Sequence, residues 1–118
     1  FSNFGKVNVD VFAPGKNIHA TFPDNSYSTI SGTSMASPVV AGVAAAILGH
    51  FPEMKAQDLK EALSATTTRY PALMVNKRGV GSVYFSALSV TGGVVNLYSA
   101  LAVLNDEVQV PFMRLASN

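Results

Sequence analysis

The chain has 118 residues, 48% of them hydrophobic, with eight basic and seven acidic side chains, two histidines and no cysteine. That size suits one small globular domain, and sparse charge without a block of either sign argues against a nucleic-acid partner. Lack of cysteine excludes disulfides and thiolate metal sites, and His19 and His50 stand too far apart for a zinc spacing.

Phe1 opens directly into FSNFG without a basic and apolar leader, so no signal or transit peptide is expected here, and a start in mid-protein is left open. VNVDV at 7–11 alternates apolar and polar residues, which predicts a strand, broken by the turn-like APGKN at 13–17. NIHATF at 17–22 predicts a second strand, PDNS at 23–26 a turn, and YSTIS at 27–31 a third extended piece that leads up to Gly32.

From Met35 to Leu48 small and aliphatic residues occupy every face, which predicts a helix buried all round, with Ala41, Gly42 and Ala44–Ala46 fully enclosed. Its apolar run, Val39 to Leu48, falls short of the roughly 20 residues that span a bilayer, so a core helix is expected and no membrane span. HFP ends it. Met54 to Thr66 then places Ala56, Leu59, Ala62 and Leu63 on one helical face and Lys55, Asp58, Lys60 and Glu61 on the other. Between Thr67 and Val90 the pattern suggests a strand, a glycine-rich turn at Arg78–Gly81 and another strand. Asn96 is placed to cap a last helix with Leu97, Ala100, Leu101 and Leu104 on its inner face, and the tail from Asn105 is expected to be a linker or frayed end.

GTSMASPVVAG at 32–42 is the stretch that carries chemistry. Thr33 and Ser34 stand where extended chain meets helix, and plain capping of the first turn would account for both hydroxyls. Three details point further. Gly32 leaves room for another backbone to approach. A helix N-terminus offers free N–H groups and partial positive charge, which suit a negatively charged tetrahedral intermediate. Pro38 has no N–H for the Ser34 carbonyl, so the first turn breaks a local rule, as functional sites often do.

A nucleophilic serine needs a base, and the candidate arrangements differ in residue order. GTSMA approximates the G-x-S-x-G elbow, but that order needs an acid and then a histidine well after the serine, and nothing beyond His50 supplies one. A serine–lysine pairing fails because the residue three after Ser34 is Ser37. Upstream partners are limited to Asp10, Asp24 and His19, and a triad within some twenty-five residues of hairpin has no rigid scaffold to aim it.

At GTSMASP, residues 32–38, the sequence resembles the subtilisin-like serine proteases, and the resemblance extends from Phe1 to about Leu104. Supporting pieces come in the family's order: FSNFG at 1–5, VDVFAPG at 9–15, AG at 41–42, HFP at 50–52 and GGVVN at 92–96. The resemblance implies an α/β fold, the C-terminal part of a three-layer subtilisin-like architecture with a parallel sheet flanked by helices. It implies that residues 1–104 form the C-terminal portion of a catalytic domain, with 105–118 a tail or linker. It implies Ser34 as nucleophile and Thr33 as support for the oxyanion.

The family's acid, histidine and oxyanion asparagine have no counterpart in this chain, and neither His19 nor His50 falls at the position of the general base. Val39 stands where the family usually has histidine and Ser31 where it often has asparagine, and the Thr67–Val90 stretch is longer than in the simplest subtilisins. The expected function is therefore peptide-bond hydrolysis by a Ser/His/Asp triad completed by an N-terminal portion of the same domain, with this chain inactive by itself. The alternative is a subtilase-derived scaffold or interaction module without activity. Peptide or protein substrates are expected, with pairing to that N-terminal portion or self-association, and an extracellular or cell-envelope location. No metal and no cofactor is assigned to this chain. Asp10 resembles a position that contributes to a weak cation site in some relatives, which leaves calcium as an option for the complete protein, but one carboxylate is no metal site.

Overall fold

The structure is a computed structural model that describes the backbone of residues 2–115 and the side chains of residues 2–106. Its elements in chain order are β1 (Ile18–Phe22), β2 (Ser26–Ile30), α1 (Thr33–His50), α2 (Ala56–Ala65), β3 (Thr68–Arg69), β4 (Met74–Lys77), β5 (Gly81–Tyr84), a 3₁₀ turn at Phe85–Ala87, β6 (Gly93–Val94) and α3 (Leu97–Leu115).

β1 and β2 form an antiparallel hairpin in which Ile18 faces Ile30 and Phe22 faces Ser26. The PDN turn between them holds Asp24 at φ 61° and Asn25 at φ 53°, a left-handed geometry that these two short polar side chains tolerate better than most. β4 and β5 make a second hairpin, with Gly79 and Gly81 at positive φ in its turn, as the run of glycines in NKRGVG predicts.

The segment predicted as a first strand, Val7–Val11, instead begins with a turn at residues 6–8 and becomes extended only beyond it. From Val9 onward it lies parallel to residues 90–95: Val90 N–H donates to the Val9 carbonyl at 2.8 Å, Phe12 N–H to Gly93 at 3.0 Å, and Val95 N–H to Phe12 at 2.8 Å. Phe12 with Val94 is the parallel pairing of the described residues, and β6 also pairs antiparallel with β3. Gly93 has a steric reason to be glycine: a Cβ there would lie 2.6 Å from Thr67 Oγ1.

α1, α2 and α3 pack on one another, and the hydrophobic residues fully enclosed among those described are Ile47 on α1 and Ala100 on α3. Leu59, Ala62 and Leu63 of α2 and Leu97, Leu101 and Leu104 of α3 turn toward this contact, as their spacing predicts, whereas Ala56 is exposed. The Asn96 side-chain oxygen accepts from Ser99 N–H at 2.9 Å, so the predicted cap forms. α3 does not stop at Asn105 but continues helically to Leu115.

Complete burial of α1 is corrected by the structure. Ser34, Ser37, Pro38, Ala41, Gly42, Ala45 and Gly49 are exposed, and their spacing puts them in one stripe along the helix. A Cβ on Gly42 would meet nothing within 4 Å. The residues packed on α1 in this chain cover its other side only, so an all-apolar helix is left with a bare face. At 18 residues and a mean hydropathy of 1.3, α1 is by length and composition alone long enough to cross a bilayer.

Candidate active-site corner

Ser34 is the second residue of α1 and exposed, and its hydroxyl makes no hydrogen bond among the described residues. What brings the chain to that corner is a close approach of two backbones. Gly32 N–H donates to the Gly15 carbonyl at 2.8 Å, and a Cβ on Gly15 would sit 2.7 Å from the Gly32 oxygen and 3.2 Å from the Ala36 Cβ. A side chain at position 15 would push APG away from the helix start. Asn17, at φ 55°, completes the seam: its N–H donates to Ser31 Oγ at 2.8 Å.

The simple capping role for the two hydroxyls is not what they perform. Gly32 is the N-cap, with extended backbone and no side-chain cap bond. Met35 N–H donates back to the Gly32 carbonyl at 3.0 Å, while the N–H groups of Thr33 and Ser34 have no backbone partner among the described residues. Two unpaired donors thus stand beside an unbonded hydroxyl at the positive end of an 18-residue helix. Pro38 lies inside the helix and leaves the Ser34 carbonyl without its usual N–H four residues on. The Thr33 hydroxyl is engaged from elsewhere: the Asn3 side-chain amide donates to it at 3.1 Å across 30 positions of sequence. A cavity of about 360 Å³ opens between Gly32, Thr33 and Ala36 on one side and Asn3, Val9 and Phe12 on the other.

Neither histidine hydrogen-bonds to Ser34. His19 Nδ1 lies 2.9 Å from Thr29 Oγ1 and its ring stacks on Tyr27, both within the β1–β2 hairpin. His50 ends the same helix that Ser34 begins, and sixteen residues at 1.5 Å each separate them by about 24 Å. Asp10 faces Lys60 at 3.4 Å. No group of three or more metal-ligating side chains occurs among the described residues, and one carboxylate beside an ammonium does not make a calcium site.

Asn3 and Gly15 lie within pieces that carry the family resemblance and Ser31 is a departure from it, but the contacts these residues make are not foreseen from the sequence. Their links to the corner span 30, 17 and 14 positions, and no local pattern signals such pairings.

The Subtilase family profile matches residues 1–83, which take in β1 to β4, most of β5 and the whole corner. The chain is similar to subtilisin DY from Bacillus licheniformis, 46% identical over 68 residues that make up 58% of this chain and 24% of that protein. It is also similar to alkaline serine exoprotease A from Vibrio alginolyticus, 45% identical over 83 residues, 70% of this chain and 13% of that one. Among solved structures, a chain of the subtilase cytotoxin SubAB assembly superposes with a TM-score of 0.73 and 31% identity over 92% of this chain and 30% of its own. The A-subunit of the AB5 toxin from E. coli gives 0.70 and 33%, over 85% of this chain and 28% of its own.

This chain belongs to the subtilase family of subtilisin-like serine proteases. Its fold is that of a part of a subtilase domain, mixed α and β, and it spans roughly a quarter of subtilisin DY and under a third of the two solved neighbours.

Proposed function

We propose that the chain is the nucleophile-bearing C-terminal portion of a serine endopeptidase, with Ser34 as the attacking group. The observation that carries this reading is the corner itself: an unbonded, exposed hydroxyl beside two unpaired N–H groups at a helix N-terminus. A histidine from the rest of the catalytic domain, oriented by an aspartate, takes the proton of Ser34 Oγ as that oxygen bonds to a peptide carbonyl carbon. The tetrahedral oxyanion accepts from the Ser34 N–H and from an asparagine of the same missing portion, with Thr33 in support. The C–N bond then breaks as the histidine passes its proton to the leaving amine, and water hydrolyses the acyl-enzyme by the same two steps. Substrates are peptides or proteins, and the family's usual setting suggests an extracellular or cell-envelope location.

The bare stripe on α1 supports the same reading. It begins at Ser34 and runs to Gly49 with only small side chains and Pro38, a surface suited to close packing against the remainder of a domain. The relatives' greater length supplies a source for that cover, so α1 is read as a core helix of the assembled domain rather than a membrane span. Among the described residues no base hydrogen-bonds to Ser34, and the chain alone is expected to be inactive.

The test is covalent labelling with a fluorophosphonate, in which Ser34 Oγ displaces fluoride from phosphorus. The expected result is an adduct on Ser34 when the chain is mixed with the N-terminal portion of its parent protein, and none with the chain alone or with Ser34→Ala. His50→Ala in the mixture should label as the parent does. Absence of labelling in the mixture favours the inactive scaffold, and rapid labelling of the chain alone would mean that His19 or His50 acts as the base.

A further inference from the structure

The geometry points to Asn3 as a positioning residue for the oxyanion corner, one that acts by fixing which way the Thr33 hydroxyl donates. The inference rests on the reading of Ser34 as nucleophile. A threonine hydroxyl has one hydrogen to give and two lone pairs to accept with. Asn3 Nδ2 donates into one of those lone pairs at 3.1 Å, and Thr33 Oγ1 has no other partner among the described residues. The hydroxyl hydrogen is therefore not spent on Asn3. It stays available beside the free N–H groups of Thr33 and Ser34, where negative charge develops during attack, and a hydroxyl that accepts from an amide is itself a better donor.

Asn3 is held for this task although it is exposed. Directly after it, Gly5 N–H donates to the Leu88 carbonyl at 2.8 Å and Lys6 Nζ to the Ser86 carbonyl at 3.1 Å. The Lys77 ammonium lies 4.6 Å from the centre of the Phe4 ring. Three contacts to residues 77–88 thus pin the segment on which Asn3 sits, and its amide bridges that segment to the helix start.

Reversing the polarity of this one bond separates positioning from packing. In Asn3→Asp the carboxylate can only accept, so it takes the Thr33 hydrogen and sets a negative charge beside the oxyanion. Asn3→Ala removes the bond without reversing it. The experiment uses the complete protein and steady-state hydrolysis of a peptide anilide, with active sites counted by fluorophosphonate titration. Asn3→Asp should lower kcat about tenfold or more and Asn3→Ala by a smaller factor, with KM held within about twofold, because an interaction made only in the transition state is lost. In a Thr33→Ala background Asn3→Ala, which adds no charge, should then cost less than about twofold, since its route of action is gone. An unchanged kcat in Asn3→Asp, a loss carried by KM, or an equal loss from Asn3→Ala in both backgrounds would overturn the assignment. Activity that survives Ser34→Ala would overturn the nucleophile reading instead, so the two failures are told apart.

Discussion

Gly42→Leu tests whether the α1 face is bare in this chain. Gly42 lies mid-helix on the exposed stripe, and a Cβ there would meet nothing within 4 Å. Two terms set the sign. Glycine in a helix interior is less favourable than alanine by about 0.8–1.0 kcal/mol, and leucine ranks just below alanine, so the replacement gains about 0.5–1 kcal/mol of helix propensity. The opposing term, overpacking, costs about 1–3 kcal/mol only where neighbours are already in contact, and here there are none. For a chain of 118 residues the net gain should raise the melting temperature by roughly 2–4 °C, followed by far-UV circular dichroism on the purified chain. In the mixture with the N-terminal portion the sign should reverse, because a leucine then stands in the way of the covering surface, and labelling of Ser34 should need a higher concentration of the partner. A lower melting temperature for the chain alone would refute the bare face and restore the enclosed helix that the sequence predicts.

Ile47→Ala should be the costly change on the same helix: Ile47 is fully enclosed, and losing three carbons removes about 2.4 kcal/mol of transfer energy, which a residual cavity raises to about 3–4 kcal/mol. Chemical denaturation that shows a loss under about 1 kcal/mol would mean that the contact between α1 and α3 does not form. Asn96→Ala should cost about 1 kcal/mol through loss of the 2.9 Å cap bond to Ser99 N–H, whereas Asn96→Asp should keep most of it; equal melting of all three proteins would remove the cap from the account.

The corner shows where local sequence suffices and where it does not. GTSMASP carries its own instructions: Gly32 ends the extended chain, an apolar, alanine-rich helix follows despite Pro38, and Ser34 falls in its first turn. The hairpin turns at Asp24–Asn25 and Gly79–Gly81 are legible for the same reason, since a few residues with positive φ decide them. The α3 cap and inner face also follow from spacing within one helix.

Other features depended on partners distant in the chain. VNVDV has the alternation of a strand, but Lys6–Asn8 turn and only Val9 onward runs beside residues 90–95, because that neighbour supplies the hydrogen bonds. All-round apolarity of α1 correctly signals a helix that suits enclosure, yet what encloses it is a matter of which surfaces are present, and in this chain only one side has cover. The sequence by itself determined the GTSMASP motif, its helix and the family, since these rest on contiguous residues and helical periodicity. Tertiary structure alone decided that the Gly15 backbone and the Asn3 amide meet that motif, because contacts across 17 or 30 positions depend on the path of the whole chain and leave no local pattern.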